Sequence, residues 1–157
     1  MHDHEPAPRE SATLRAIRTL LLALVFIGIA GTVVDLLLLG HVEGRAELSP
    51  LVLLAASFVV TMWHAVAPTA ASVRAVQLAM ILTVATGLVG IGYHYASNEE
   101  FERELYPTVG GLALLRESLS GATPLLAPGS LVMLGFVGLT ATIRHPRLAG
   151  STPGTKE

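Results

Sequence analysis

Asp35 is the only acidic residue within the chain's four long apolar runs. A carboxylate in hydrocarbon loses its hydration, at an estimated roughly 2.5–3.5 kcal/mol near a bilayer centre on insertion scales. The chemistry available to offset that cost lies mainly in His94, with Tyr93 beside it in the third run. A hydrogen bond or a carboxylate–imidazolium pair between Asp35 and His94 would reduce the burden of burying the acid. Asp35, His94 and Tyr93 therefore form the first candidate site, a buried polar group able to carry a proton.

Two further groupings have ligand or hydrogen-bonding character. His41-x-Glu43 and His94 stand at the outer ends of the first and third runs, and imidazole with carboxylate suits zinc, copper or iron. His41 and His94 are also placed to hold a haem from two sides. Toward the other end, His64 and Gln77 face each other across a short turn and are expected to hydrogen-bond as an inner polar layer. His2 and His4 fall in a tail with no scaffold to orient ligands, so their pairing reads as incidental composition.

Glycine spacing connects these residues to helix packing. Gly28, Gly31 and Asp35 lie three and four residues apart, along one helical face, and Gly87, Gly90 and His94 repeat the spacing. Gly135, Gly138 and Thr142 follow a similar rule in the fourth run. Small residues allow close backbone approach where no hydrophobic force separates helix from lipid. If the first and third helices face one another, their seams would bring Asp35 to His94.

The elements that must position these groups are four apolar stretches of the length a bilayer requires, about 20 residues each: 19–39, 51–67, 75–95 and 124–143. Ser49-Pro50 and Thr123-Pro124 pair a hydroxyl N-cap with proline at the first helical position, and Ser72 is a candidate cap for the third run. The first run is longer than the hydrophobic part of a signal peptide and is followed by no A-x-A site, so it reads as a retained anchor. The fold class expected is an all-α integral membrane protein, a four-transmembrane-helix bundle over residues 13–147. Tails 1–12 and 148–157 are expected to be disordered.

Arginine placement sets the orientation. Arg9, Arg15, Arg18, Arg74, Arg144, Arg147 and Lys156 fall on one side of the spans, and Arg45, Arg103 and Arg116 on the other. The more basic side is expected to be cytoplasmic, with both termini inside. The outer loop, 96–123, is acidic and patterned. Ser97-Asn98-Glu99-Glu100 reads as a capping box opening a short helix that Pro107 stops. A second short helix would carry Leu112, Leu115 and Leu119 on one face, suited to the membrane surface or to capping the bundle.

Composition narrows the function. Of 157 residues, 52% are hydrophobic and 14% charged, against about a quarter charged in a soluble domain. With a net charge of −2, a nucleic-acid role has no electrostatic support. The absence of cysteine excludes disulfides, thiolate metal sites and redox-active thiols. No P-loop, G-x-S-x-G or H-E-x-x-H motif is present, and no catalytic constellation stands out, so an enzyme is the weakest expectation. The leading expectation is a small bacterial inner-membrane protein acting as a binding or accessory subunit of a larger assembly, or as a homo-oligomer. The alternatives are a proton-coupled transporter or channel using Asp35 and His94, and a haem- or metal-binding redox protein using His41 and His94.

Overall fold

The computed structural model describes residues 11–40, 44–121 and 125–149, and every regular element among them is helical. Helix α1 (Ala12–Leu38) starts where the Ser11 hydroxyl accepts from the Leu14 amide at 3.2 Å. That bond satisfies one of the donors a helix start leaves open. Helix α2 (Arg45–Val66) starts earlier than Ser49-Pro50 predicts. Its N-cap is Gly44, whose amide donates to Glu47 Oε2 at 3.3 Å, and Pro50 lies inside the helix. Proline there removes one amide donor close to the start, and the turn before it is held by the Glu47 bond.

Helix α3 (Ala70–Leu105) opens with a reciprocal cap. Thr69 Oγ1 accepts from the Ser72 amide at 3.1 Å, and Ser72 Oγ accepts from the Thr69 amide at 2.9 Å. Thr69, not Ser72, is the N-cap. The helix then runs without a break through Ser97, where the capping-box pattern predicts a new start. Glu99 engages Arg103 one turn further on, at 2.7 Å, and Asn98 turns toward another helix, so neither serves a helix start. The helix ends at Leu105, before Pro107, which disfavours helical backbone in the residue preceding it. At 36 residues, α3 is about 54 Å long, well beyond a bilayer's hydrocarbon thickness.

Helix α4 (Gly111–Leu119) packs on the far end of α3. Asn98 Nδ2 donates to the Ser118 carbonyl at 3.0 Å, and Leu114 and Ser118 face inward. Leu112, Leu115 and Leu119 therefore point away from the protein. Helix α5 (Leu126–Thr142) and a last turn, α6 (Pro146–Ala149), complete the elements among the described residues. The Thr123-Pro124 cap lies outside the described residues, as do residues 1–10 and 150–157 of the two tails.

Three of these helices, α1, α2 from Glu47 and α3, are long and apolar enough to cross a membrane. Helix α5 is equally apolar but spans 17 residues, about 25 Å. Each of α1 and α3 packs against both α2 and α5, while α1 and α3 sit diagonally with no Cα atoms within 8 Å of each other. Val25 and Ile29, Leu54, Val76 and Met80, and Leu131 and Leu134 fill the centre, drawn from all four helices.

The closest approach is between α3 and α5, and glycine makes it possible. A Cβ on Gly87 would lie 2.7 Å from the Pro128 carbonyl oxygen, and one on Gly135 2.7 Å from the Met80 carbonyl oxygen. Gly90 meets the Pro128 ring, and Gly138 meets the Met80 side chain. On α1, Gly28 admits the Leu134 side chain, whereas Gly31 faces open space.

Candidate functional site

The bundle has a basic end and an acidic end. Among the described residues, Arg15, Arg18, Arg74, Arg144 and Arg147 mark the first, and Asp35, Glu47, Glu99, Glu100, Glu102, Glu104 and Glu117 mark the second. Polar side chains are handled differently at each.

At the basic end Arg18 reaches into the bundle and is buried. Its guanidinium donates to the carbonyls of Ala141 at 3.1 Å, Ile143 at 2.9 Å and Arg144 at 3.3 Å. These carbonyls close α5, where helical oxygens lack partners and the helix dipole favours a cation. Arg144 has a φ of 46°, in the left-handed region where glycine is usual after a helix. Gln77 donates from Nε2 to the Thr142 carbonyl at 3.3 Å, so α1 and α3 both hold the end of α5.

His64 is also buried, and its Nδ1 lies 3.0 Å from Ser72 Oγ. The single proton of that hydroxyl points to the Ala67 and Thr69 carbonyls, at 3.2 and 3.0 Å. The direction of the His64–Ser72 bond follows the tautomer of the imidazole ring. The His145 ring meets His64 edge-on, with centroids 5.2 Å apart. His64 and Gln77 thus share a polar layer, but each bonds to a partner other than the one expected. Their similar depth suggests a direct pair, whereas the capping hydroxyl of Ser72 lies closer to the imidazole.

At the acidic end Asp35 is exposed on the outer side of α1. It has no side-chain partner among the described residues. His94 is half-buried and lines a cavity of about 60 Å³ with Thr86, Gly90, Leu36, Pro50 and Pro128. Asp35 and His94 are not brought together, because α1 and α3 are diagonal and Asp35 turns outward. Tyr93, beside His94 in sequence, is 72% exposed. The His41, Glu43 and His94 ligand set is described only at His94, since His41 and Glu43 lie outside the described residues. Among the described residues, no three histidine or acidic side chains converge as metal ligands would.

No family model, curated protein or solved structure matches this chain. Its geometry is therefore the guide to its chemistry.

The outer side of α1 has relief as well as charge. A groove of about 680 Å³ runs between α1 and α5, walled by Gly28, Thr32, Ser130, Met133 and Leu134. Asp35 is seven residues from Gly28, two helical turns along the same face. Gly31 lies between them, and a Cβ added there would meet nothing within 4 Å. By helical spacing, Gly31 and Asp35 lie toward the face of α1 that carries Gly28 at the groove.

Several residues of these sites do not stand out in the sequence as candidates. Arg18 belongs to the buried stripe Arg18, Val25, Ile29, Thr32 and Leu36, spaced by seven, four, three and four. That phase is readable, and marks an arginine turned inward. Ser57, Thr61 and His64 follow Leu54 at three, four and three on the buried face of α2. Ser57 Oγ lies 3.4 Å from Thr83 Oγ1, which itself donates to the Ala79 carbonyl at 2.8 Å, so Ser57 is the donor between them. Thr61 Oγ1 is fully buried without a hydrogen-bond partner among the described residues.

Proposed function

We propose that this chain is a subunit of a larger bacterial inner-membrane assembly, or of a homo-oligomer, and that it engages its partner through the outward face of α1. In this reading all four long helices cross the bilayer, α5 included, with both termini and the basic end cytoplasmic. The α4 leucines lie on the opposite membrane surface.

The observation that carries the reading is Asp35. Ionisable residues in membrane helices ordinarily face the bundle interior or a watery cavity, because lipid offers them no partner. Here the bundle's own polar groups are turned inward, and this carboxylate is turned out. It lies one turn from the end of α1, which lowers the cost, but its neighbours on the outer face, Val34 and Leu38, are apolar. A second helix supplying a hydrogen-bond donor at that depth would satisfy Asp35, and Gly31 and the α1–α5 groove leave room for it to approach. Purification in mild detergent followed by mass measurement tests this. A particle heavier than the 16.5 kDa chain is expected once bound detergent is subtracted. A strictly monomeric, partner-free species contradicts it.

A second reading, a proton-coupled transporter or channel, retains support from His94 alone. That imidazole borders a cavity reached by all four long helices, with Thr86 beside it. Proton flux in proteoliposomes that His94→Gln abolishes would favour this reading, and unchanged flux or none would remove it. The haem or metal reading depends on His41 and rests on the sequence.

A further inference from the structure

We propose that the partner docked on α1 is a second copy of this chain, presenting the outward face of α3 so that its Tyr93 hydroxyl donates to the Asp35 carboxylate. The inference rests on the reading that α1 docks a partner through Asp35. Tyr93 is 72% exposed, and like Asp35 it has no side-chain partner among the described residues. One group accepts and the other donates, so each supplies what the other lacks. Helices α1 and α3 stand on a diagonal of the bundle. The contact is therefore head to tail: each chain offers Asp35 to one neighbour and Tyr93 to another.

Depth in the membrane supports this pairing. Copies inserted in one orientation are related by rotation about the membrane normal, so they meet at residues of equal depth. Helix α5 sets the other two helices in register, because a Cβ on Gly138 would meet both Val25 on α1 and Met80 on α3. Asp35 is ten residues beyond Val25 and Tyr93 thirteen beyond Met80. The Tyr93 backbone thus lies about 4.5 Å further out. Helical side chains lean toward the start of their own helix, and the long tyrosine leans further than aspartate. Its hydroxyl returns to the level of the carboxylate.

The same register sets Val89 against Gly31 and Ala96 against Leu38, one turn to either side. Val89 and Leu38 are 58% and 83% exposed, and a Cβ on Gly31 would meet nothing within 4 Å. Each large side chain faces a small one, which lets two helices approach closely. Other exposed donors are engaged or distant. Ser130 and Thr140 donate to carbonyls of their own helix. Arg103 is held by Glu99 and lies about 15 Å beyond Tyr93 along α3. Arg116 belongs to α4, on the far end of that helix.

Full-length wild type, Asp35→Leu and Tyr93→Phe would be compared by particle mass in mild detergent, alone and as co-expressed pairs carrying different tags. The wild-type protein mass should be a whole multiple of 16.5 kDa. Tyr93→Phe removes one oxygen from an exposed side chain, so it should weaken self-assembly about tenfold with melting temperature unchanged. A head-to-tail contact also predicts complementation. At a dilution where each variant alone is a single chain, the mixture should form a two-chain particle containing one of each. Three results would overturn the inference while leaving Asp35 as a docking residue: Tyr93→Phe that assembles as wild type does, a mixture that stays single-chained, or a wild-type particle containing a different protein. A monomeric wild type would remove the docking reading as well.

Discussion

At the basic end of the bundle polar side chains turn inward and find partners, while at the acidic end the carboxylate of α1 turns outward and finds none within the described chain. Arg18, His64, Ser72 and Gln77 join α1, α2, α3 and the end of α5 into one hydrogen-bonded layer. Asp35 joins nothing among the described residues. The two ends therefore differ: the first holds the helices together, and the second is where the proposed partner would dock. A buried polar layer acts locally on fold stability, whereas in the proposed reading the outward carboxylate acts through a partner.

The largest effect should come from breaking the layer. Arg18→Met leaves three carbonyls at the end of α5 without their donor and should cost about 3 kcal/mol, read from melting in detergent. No change would mean that the basic end is not a clamp. Next come the glycines, which separate the helix seam from the outward face of α1. Gly135→Leu drives a side chain into the α3 backbone and should cost about 2 kcal/mol. Gly31→Leu, where space is open, should leave the fold within about 0.5 kcal/mol and act on assembly instead. Equal losses in the two would erase the distinction. An effect of opposite sign is expected from Thr61→Val. Removing a buried hydroxyl that lacks a partner should stabilise the bundle by about 1 kcal/mol. A loss would show that the hydroxyl has a bonding partner or a role the present geometry does not display.

Much of the architecture is legible because hydropathy and capping speak directly in sequence. The stretches 19–39, 51–67 and 75–95 coincide to within a residue with parts of α1, α2 and α3, the fourth overlaps α5 over Leu126–Thr142, and Pro107 stops α3. The start of α2 falls earlier than the sequence suggests because Ser49-Pro50 resembles a helix opening more closely than Gly44 does. The continuity of α3 is hidden by a capping-box pattern, Ser97 to Glu100, whose two middle residues are engaged elsewhere, Glu99 by Arg103 one turn away and Asn98 by α4.

The facing of the helices is harder to read for a physical reason. A helix apolar all round has no amphipathic contrast to mark its inner side. Gly28, Gly31 and Asp35 do share a face, but the core stripe of α1 follows Val25, Ile29, Thr32 and Leu36. Gly28 sits at its edge, and Gly31 and Asp35 fall outside it. Nor does spacing within one helix reveal that α3 pairs its glycines with α5 while α1 stands across the diagonal. Arg18 is the readable exception, a charge lying in phase with a core stripe.

The outward role of Asp35 is tested most directly by replacing it with a residue that lipid accepts. Wild type and Asp35→Leu would be extracted in the same mild detergent and compared by particle mass alongside melting temperature. A heavier wild-type particle that falls to the mass of a single chain in Asp35→Leu, with melting no lower, is the predicted result. A variant that keeps its full assembly mass, or that unfolds, would contradict the account.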